Sequence, residues 1–144
     1  MAAAGSAVGE AEVEGALVER MAPDGAEMMV GLKTEPGLGA FVVIAAGGVL
    51  TELLDDVVIA PAPLAEGEVA PLLRRLRCWP TLDGANGRPA RDVAAFCALV
   101  SRISSLGPHL IGTIREVDLN PVIVHEANKG VIIVDGLAIR ADRG

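Results

Sequence analysis

Three polar residues near the C-terminal end of the chain have side chains that could bind a metal ion together. Asp118, Asn120 and Asp135 lie within residues 114–139, where two runs rich in Val and Ile flank the polar segment EANKG. This pattern predicts a β-hairpin with a glycine-containing loop. Carboxylate and amide oxygens suit Mg²⁺ when phosphate oxygens of a substrate complete its coordination shell.

The register of this hairpin decides whether the three side chains meet. If the turn is centred near Ala127 and Asn128, residues whose numbers sum to about 255 face each other, so Asn120 lies opposite Asp135. Side chains alternate along a strand, which puts Asp118 on the same face as Asn120. Spacing alone leaves a second interpretation open, because Asn-Pro and Asp-Gly are ordinary turn dipeptides that need no metal.

The N-terminal half of the chain is predicted to consist of strands separated by turns. Residues 1–12 are small, polar and acidic, and we expect them to form a disordered or irregular lead-in. Turn residues then separate five apolar runs, which are interpreted as strands over residues 13–21, 27–33, 41–46, 49–54 and 57–60.

Two helices are predicted between these strands and the hairpin. Apolar residues at helical spacing predict a helix over residues 66–77, ended by Trp79 and Pro80. A second helix is predicted over residues 92–106, ended by Gly107 and Pro108, with a loop before it. Strands, then helices, then a hairpin indicate an α+β fold, in which helices pack on one face of an antiparallel sheet.

Composition excludes several classes of protein. The chain has 144 residues and a formal charge of −7, which argues against a nucleic-acid partner. The longest apolar run, residues 40–50, is too short to span a bilayer, and the acidic first residues do not predict a signal peptide. Cys78 and Cys97 form no CxxC pair and are expected to be reduced and buried. These features predict a cytoplasmic protein without a membrane partner.

The motifs of the hairpin are similar to those of a known family. DLNPVIV followed by VIIVDGLAI resembles the end of the ATP-grasp domain in NDP-forming acyl-CoA synthetases, including the ADP-forming acetate–CoA ligase β subunit, and in the succinyl-CoA synthetase β subunit. The resemblance extends over nearly all of residues 13–139. In that family the Asn and the following Asp hold the magnesium of bound nucleotide. The resemblance therefore implies Asn120 and Asp135 as metal ligands, with Asp118 as an auxiliary acid.

The resemblance also implies a nucleotide site at the other end of the chain. ALVERMAPDGAEMMVGLKTEPGLG is similar to the family segment in which two acidic positions eight residues apart lie by the nucleotide. Those positions are Glu19 and Glu27 here, although each is also explained as a solvated strand residue. Gly47 and Gly48 could let the backbone approach phosphate, but a tight turn between strands is the preferred interpretation.

Two departures from the family pattern matter. The family's Asp-Pro-x-Phe-Gly is replaced by Glu35-Pro36-Gly37-Leu38-Gly39, which lacks the aromatic residue. The family's phosphate-binding Lys and glycine-rich loop precede the segment at which this chain begins. We therefore expect residues 13–144 to form the C-terminal subdomain of an ATP-grasp domain, with the N-terminal half as a missing partner.

The implied function is that of an enzyme part, with ATP or ADP and Mg²⁺ as cofactors. The implied reaction converts acyl-CoA, ADP and phosphate into a carboxylic acid, CoA and ATP, through a phosphohistidine in a CoA-binding domain or subunit. His109 and His125 match no such histidine and are interpreted as structural or solvated. The alternative is a non-catalytic scaffold or regulatory module. The loop LDGANGRPARDV is interpreted as architecture, with Asp83 and Arg88 stabilising it.

Overall fold

A six-stranded antiparallel sheet forms the body of the protein. The computed structural model describes residues 15–16, 18–48 and 56–141. The strands are β1 (Ala26–Glu35), β2 (Gly39–Ala46), β3 (Val57–Pro61), β4 (Ile114–Val124), β5 (Val131–Ile133) and β6 (Gly136–Arg140). They are ordered β3–β2–β1–β4, and both β5 and β6 pair with the remaining side of β4. The predicted α+β class with an antiparallel sheet is confirmed.

The helices lie between β3 and β4 in the chain and cover one face of the sheet. They are α1 (Glu66–Leu73), α2 (Trp79–Asp83) and α3 (Val93–Leu110). Alternate residues of β1 face them, so that Met28, Val30 and Leu32 are fully buried. The same apolar cluster takes in residues of β2, β4, α1 and α3: Val42, Ile44, Val122, Val124, Val69, Leu73, Phe96 and Val100. The intervening residues of β1 face the other side of the sheet.

The C-terminal hairpin has the predicted register. Val122 pairs with Ile133, Asp118 with Leu137 and Leu119 with Gly136. The second arm is divided into β5 and β6, however, rather than being one strand. Between them the Asn120 N–H donates to the Asp135 carbonyl at 3.2 Å, so these two residues do lie opposite each other.

The strand predicted over residues 13–21 is wrong in the part that the structure describes. Residues 18–21 have no strand structure, and the side chains of Val18 and Met21 are 90% and 87% exposed. Both sides of β1 are already paired, with β2 and with β4, so the segment has no ladder position beside β1. The predictions for residues 1–12 and 49–54 lie outside the described residues.

The first helix is shorter than predicted and a further helix follows it. The Asp56 carboxylate accepts the N–H groups of Arg77 and Cys78 at 2.7 and 2.8 Å. In a helix continuing to residue 77, the Arg77 N–H would bond to the carbonyl four residues earlier instead. α1 therefore ends at Leu73. α2 then forms over Trp79–Asp83 with Pro80 in its first turn, where proline removes no helical hydrogen bond.

The second predicted helix runs past its predicted stop. α3 continues through Gly107 and Pro108 to Leu110. Gly107 is buried in the face of the helix that packs on the sheet, and Pro108 lies in the last turn. Burial of this turn against the sheet outweighs the helix-breaking tendency of the Gly-Pro pair.

One helix of the described chain, α3, is long and apolar enough to cross a membrane. A single helix of this kind is weak evidence of a span, because the core helix of a soluble protein meets the same condition. Phe96 and Val100 of α3 are fully buried in the core cluster. The sheet therefore accounts for the apolar face of this helix.

Asp92 joins the start of α3 to the turn between β4 and β5. One carboxylate oxygen accepts the Ala95 N–H at 3.0 Å and the other accepts the Gly130 N–H at 2.8 Å. These two donors lower the pKa of Asp92 because they bind its charged form.

Asp92→Ala should reduce the free energy of unfolding by about 2 kcal/mol, the scale of a helix cap and a charged hydrogen bond together. Urea denaturation at pH 7 measures this loss.

The stability lost in Asp92→Ala should be smaller in acid than at neutral pH. Because the folded chain lowers this pKa, the stabilisation is complete above the unfolded pKa of about 3.9. It disappears as the pH falls through the lower folded pKa. The difference between wild type and Asp92→Ala should be constant near neutral pH and shrink in acid. Asp83→Ala, at an exposed position of α2, is the control, and equal losses in both variants would contradict the assignment.

α3 approaches the sheet most tightly at Gly107. An added Cβ there would lie 2.7 Å from the Cβ of Ala40 and 3.3 Å from side-chain atoms of Ala62 and Leu32. Gly107→Ala should therefore lower the free energy of unfolding by about 1–3 kcal/mol, because overpacking exceeds the gain in helix propensity.

The matched control is Gly67→Ala in α1, where an added Cβ meets nothing within 4 Å. This change should be neutral or should stabilise the protein by up to about 1 kcal/mol. Urea denaturation of both variants separates the effects. A gain in stability from Gly107→Ala would show that α3 does not pack on the sheet as described.

Candidate functional site

A bulge in β4 shapes the candidate site. Met28 and Val30 of β1 pair with Val122 and Leu119 of β4. One residue of β1 therefore lies opposite two residues of β4, Asn120 and Pro121. Such a bulge re-aims side chains and is common beside functional sites. Here the Asn120 side chain reaches the end of β2, where its Oδ1 accepts the Gly48 N–H at 3.3 Å.

Asp135 lies across the ladder from Asn120 in the gap between β5 and β6. Its side chain is exposed, and its Oδ1 accepts the Gly136 N–H at 2.7 Å. The Val134 N–H donates to the Pro121 carbonyl at 3.0 Å, which holds the chain against β4 on the other side of the gap. The two predicted metal ligands are thus neighbours, Asn120 on β4 and Asp135 in the gap between β5 and β6.

Asp118 adds negative charge to the same region. Leu119 is buried in the core, so alternation directs Asp118 to the opposite face. The Oδ1 atom of Asp118 is buried and has no hydrogen-bond partner among the described residues. Burial raises the pKa of Asp118, and the charges of Glu116 and Asp135 raise it further. A nearby cation would stabilise the charged form of this carboxylate, because its buried oxygen has no hydrogen-bond donor among the described residues and two other acids lie near it.

The described residues do not form a complete metal coordination shell by themselves. Among the described residues, no group of three or more His, Cys, Asp or Glu side chains is arranged to hold a metal. Two carboxylates and one amide oxygen fit Mg²⁺ only if phosphate oxygens and water complete its shell. The residues therefore suit a cation that arrives with a phosphorylated ligand.

Glu27 lies next to Gly47 and Gly48, the residues that follow β2. Its backbone carbonyl accepts the Gly47 N–H at 2.9 Å, which fixes the end of β2 against the start of β1. A Cβ at Gly48 would overlap the carboxylate of Glu27, and Gly48 has a positive φ of 66°. Gly48 thus lies between the Glu27 carboxylate and the Asn120 amide, which places the two side chains close together. Sequence reasoning missed this link.

Glu19 lies on the exposed segment that precedes β1. It lines a groove of about 390 Å³ together with Glu27, Pro121, Ile123 and Val134. The groove thus brings the two glutamates predicted to face a nucleotide next to the bulge that holds Asn120. Glu19 reaches it from irregular chain rather than from the end of a strand.

The histidines and cysteines lie elsewhere. His109 is exposed at the end of α3, and His125 is buried with its Nδ1 3.1 Å from the Asp24 carbonyl. Burial and a hydrogen bond to Asp56 raise the pKa of the Cys78 thiol to about 12. Burial also raises the pKa of Cys97, which belongs to the core cluster. Neither thiol has the lowered pKa of a nucleophile.

Comparison with known proteins gives consistent matches. The profile of the ATP-grasp domain matches residues 1–139. The chain is 40% identical over 129 residues to trans-feruloyl-CoA synthase FCS1 from an unknown prokaryotic organism, covering 88% of this chain and 18% of that protein. It is 31% identical over 130 residues to the β subunit of acetate–CoA ligase [ADP-forming] II from Pyrococcus furiosus, covering 90% of this chain and 55% of the subunit.

A solved structure has the same fold. Dinucleotide-forming acetyl-coenzyme A synthetase 1 from Ca. Korarchaeum cryptofilum superimposes with a TM-score of 0.76 at 32% identity, covering 83% of this chain and 55% of that one. That protein is bound to coenzyme A and Mg-AMPPCP, and its phosphohistidine segment points towards the nucleotide-binding site. The chain spans no more than about half the length of these relatives. Since the profile match covers almost the whole chain, the chain belongs to the ATP-grasp domain family.

Proposed function

We propose that this chain is the nucleotide- and Mg²⁺-binding part of an NDP-forming acyl-CoA synthetase. The complete enzyme would convert acyl-CoA, ADP and phosphate into a carboxylic acid, CoA and ATP. The observation that carries the proposal is the Gly48 junction, where the Glu27 carboxylate and the Asn120 amide lie on either side of one glycine. The relatives described above, which are CoA ligases and synthetases, support the reaction class.

Each residue of the site has a distinct proposed role. Asn120 and Asp135 would hold Mg²⁺, and the buried oxygen of Asp118 would add negative charge beside them. Glu19 and Glu27 would line the nucleotide along their shared groove. When bound, Mg²⁺ would neutralise the charge that develops on the transferred phosphoryl group. The chain's own residues would bind and orient the nucleotide.

The proposed partners are other parts of the same enzyme. Neither His109 nor His125 lines the groove that contains Glu19 and Glu27, so the phosphorylated histidine would belong to a CoA-binding domain or subunit. The phosphate-binding Lys would come from the N-terminal half of the ATP-grasp domain. Two free cysteines, in the described residues, fit a cytoplasmic location. The ratio of ten arginines to two lysines fits a GC-rich bacterial genome.

Replacing Asp135 by Asn tests the metal assignment. The change keeps the size of the side chain but removes its charge, so Mg·ADP should bind about tenfold or more weakly. Binding of ADP without Mg²⁺ should be unchanged. Isothermal titration calorimetry of the full chain with ADP, with and without Mg²⁺, measures both affinities. Asp83→Asn, an exposed carboxylate of α2, is the matched control.

The outcomes separate an enzyme part from a scaffold. Equal Mg·ADP affinity in wild type and Asp135→Asn would contradict the assignment. If the chain binds no Mg·ADP alone, the titration is repeated with the N-terminal half of an ATP-grasp domain added. Binding that appears only in the mixture, and is lost with Asp135→Asn, supports the proposed function. No binding in the mixture would favour the non-catalytic module.

A further inference from the structure

A second cavity lies beside the candidate site and contains two arginines. It has a volume of about 250 Å³ and lies between the start of β1, the end of β2, α2 and the loop that leads into α3. We call it the arginine cavity. Its walls include Glu27, Gly47, Thr81, Arg88 and Arg91. None of the residues predicted from the sequence to bind metal lines it.

Arg91 is the unusual residue of this cavity. Its side chain is only 10% exposed, and its buried Nε has no hydrogen-bond partner among the described residues. A carboxylate oxygen of Asp24 lies 3.8 Å from its terminal nitrogen, and the Asp24 side chain is 95% exposed. That distance is too long for a hydrogen bond. Arginine is rarely buried unless it is paired, so an acceptor is expected in the cavity.

Backbone contacts anchor the loop that carries both arginines. The Arg91 N–H donates to the Leu82 carbonyl at 2.8 Å. Gly84 has a φ of 87°, and a Cβ there would lie 2.9 Å from the Arg88 carbonyl and the Ala90 nitrogen. The loop therefore folds back closely on Gly84. With the loop folded in this way, both arginines line the cavity.

The charges and shape of the lining favour one class of ligand. Among the described lining residues, two guanidinium groups lie against one carboxylate, that of Glu27, which makes this lining net positive. The Cys78 thiol that also lines it is protonated at neutral pH, since its pKa is about 12. Guanidinium groups bind phosphate oxygens in a planar, paired geometry. At Gly47 the cavity wall packs directly against the backbone of β1, since a Cβ there would be 2.6 Å from the Met28 carbonyl oxygen.

The geometry points to an oxyanion site in the arginine cavity, formed by Arg91 and Arg88 and specific for a phosphate group. The group is either free inorganic phosphate or the phosphoryl group of a larger molecule. This site does not require nucleotide or metal at Asn120 and Asp135.

Titration of the full chain with inorganic phosphate in the absence of divalent cations tests the site. Arg88→Gln and Arg91→Gln should each weaken phosphate binding about tenfold or more. Glu27→Gln should strengthen binding, because it removes the opposing charge from the lining. Arg102→Gln, on the exposed surface of α3, is the matched control and should bind as wild type does. Arg88 is exposed, so its variant provides the test even if Arg91→Gln fails to fold.

Phosphoserine and acetate serve as further probes. Tighter binding of inorganic phosphate than of phosphoserine identifies free phosphate as the ligand, and the reverse order identifies a phosphoryl group carried by a larger molecule. Equal phosphate affinity in Arg88→Gln and Arg102→Gln would overturn the site. Acetate binding as tightly as phosphate would overturn its specificity.

One variant distinguishes this site from the proposed nucleotide site. Asn120→Ala should lose Mg·ADP binding but keep phosphate binding. Loss of phosphate binding in Asn120→Ala would show that the two ligands share one site and would overturn the arginine cavity as a separate one.

Discussion

The ladder between β1 and β4 is the contact on which both the sheet and the candidate site depend. It pairs segments far apart in the chain, as in the pairs Leu32 with Val117 and Met28 with Val122. The bulge within this ladder changes which face of the sheet the residues of β4 point to. Residues 118 and 122 are both even, so an unbroken strand would direct them to the same face. With one extra residue in β4, Val122 enters the core while Asp118 stays on the outer face.

The same bulge lies beside a glycine with a positive φ, Gly48, just after β2. Asn120 is turned towards the Gly48 N–H, and the carboxylate of Glu27 occupies the space that a side chain at residue 48 would need. Any larger residue there would push apart the acid and the amide. One buried oxygen of Asp118 has no hydrogen-bond partner in the described part of the chain, and its burial adds an electrostatic penalty to the same region. The site thus combines tight backbone packing with unneutralised negative charge, an arrangement that favours a cation-bearing ligand.

Local patterns were sufficient for the parts of the fold that depend on neighbouring residues. The register of the hairpin could be predicted because a short turn fixes which residues face each other. The ends of the helices could not, since they depend on distant groups. Asp56 takes the N–H groups that would have extended α1, and Ala40 receives the buried face of α3 at Gly107. The Gly48 junction spans 72 residues of sequence and has no local signal.

The division of the sheet edge into β5 and β6 also affects how readily another extended chain could pair with this edge. An uninterrupted outer strand would offer a continuous row of unpaired amide groups to any other extended chain. Here the row is broken into pieces of three and five residues, with an exposed charged residue, Asp135, at the break. Short, interrupted strands with a charge between them are poor templates for strand addition. The residue predicted to bind the metal therefore also interrupts the sheet edge along which another extended chain could pair.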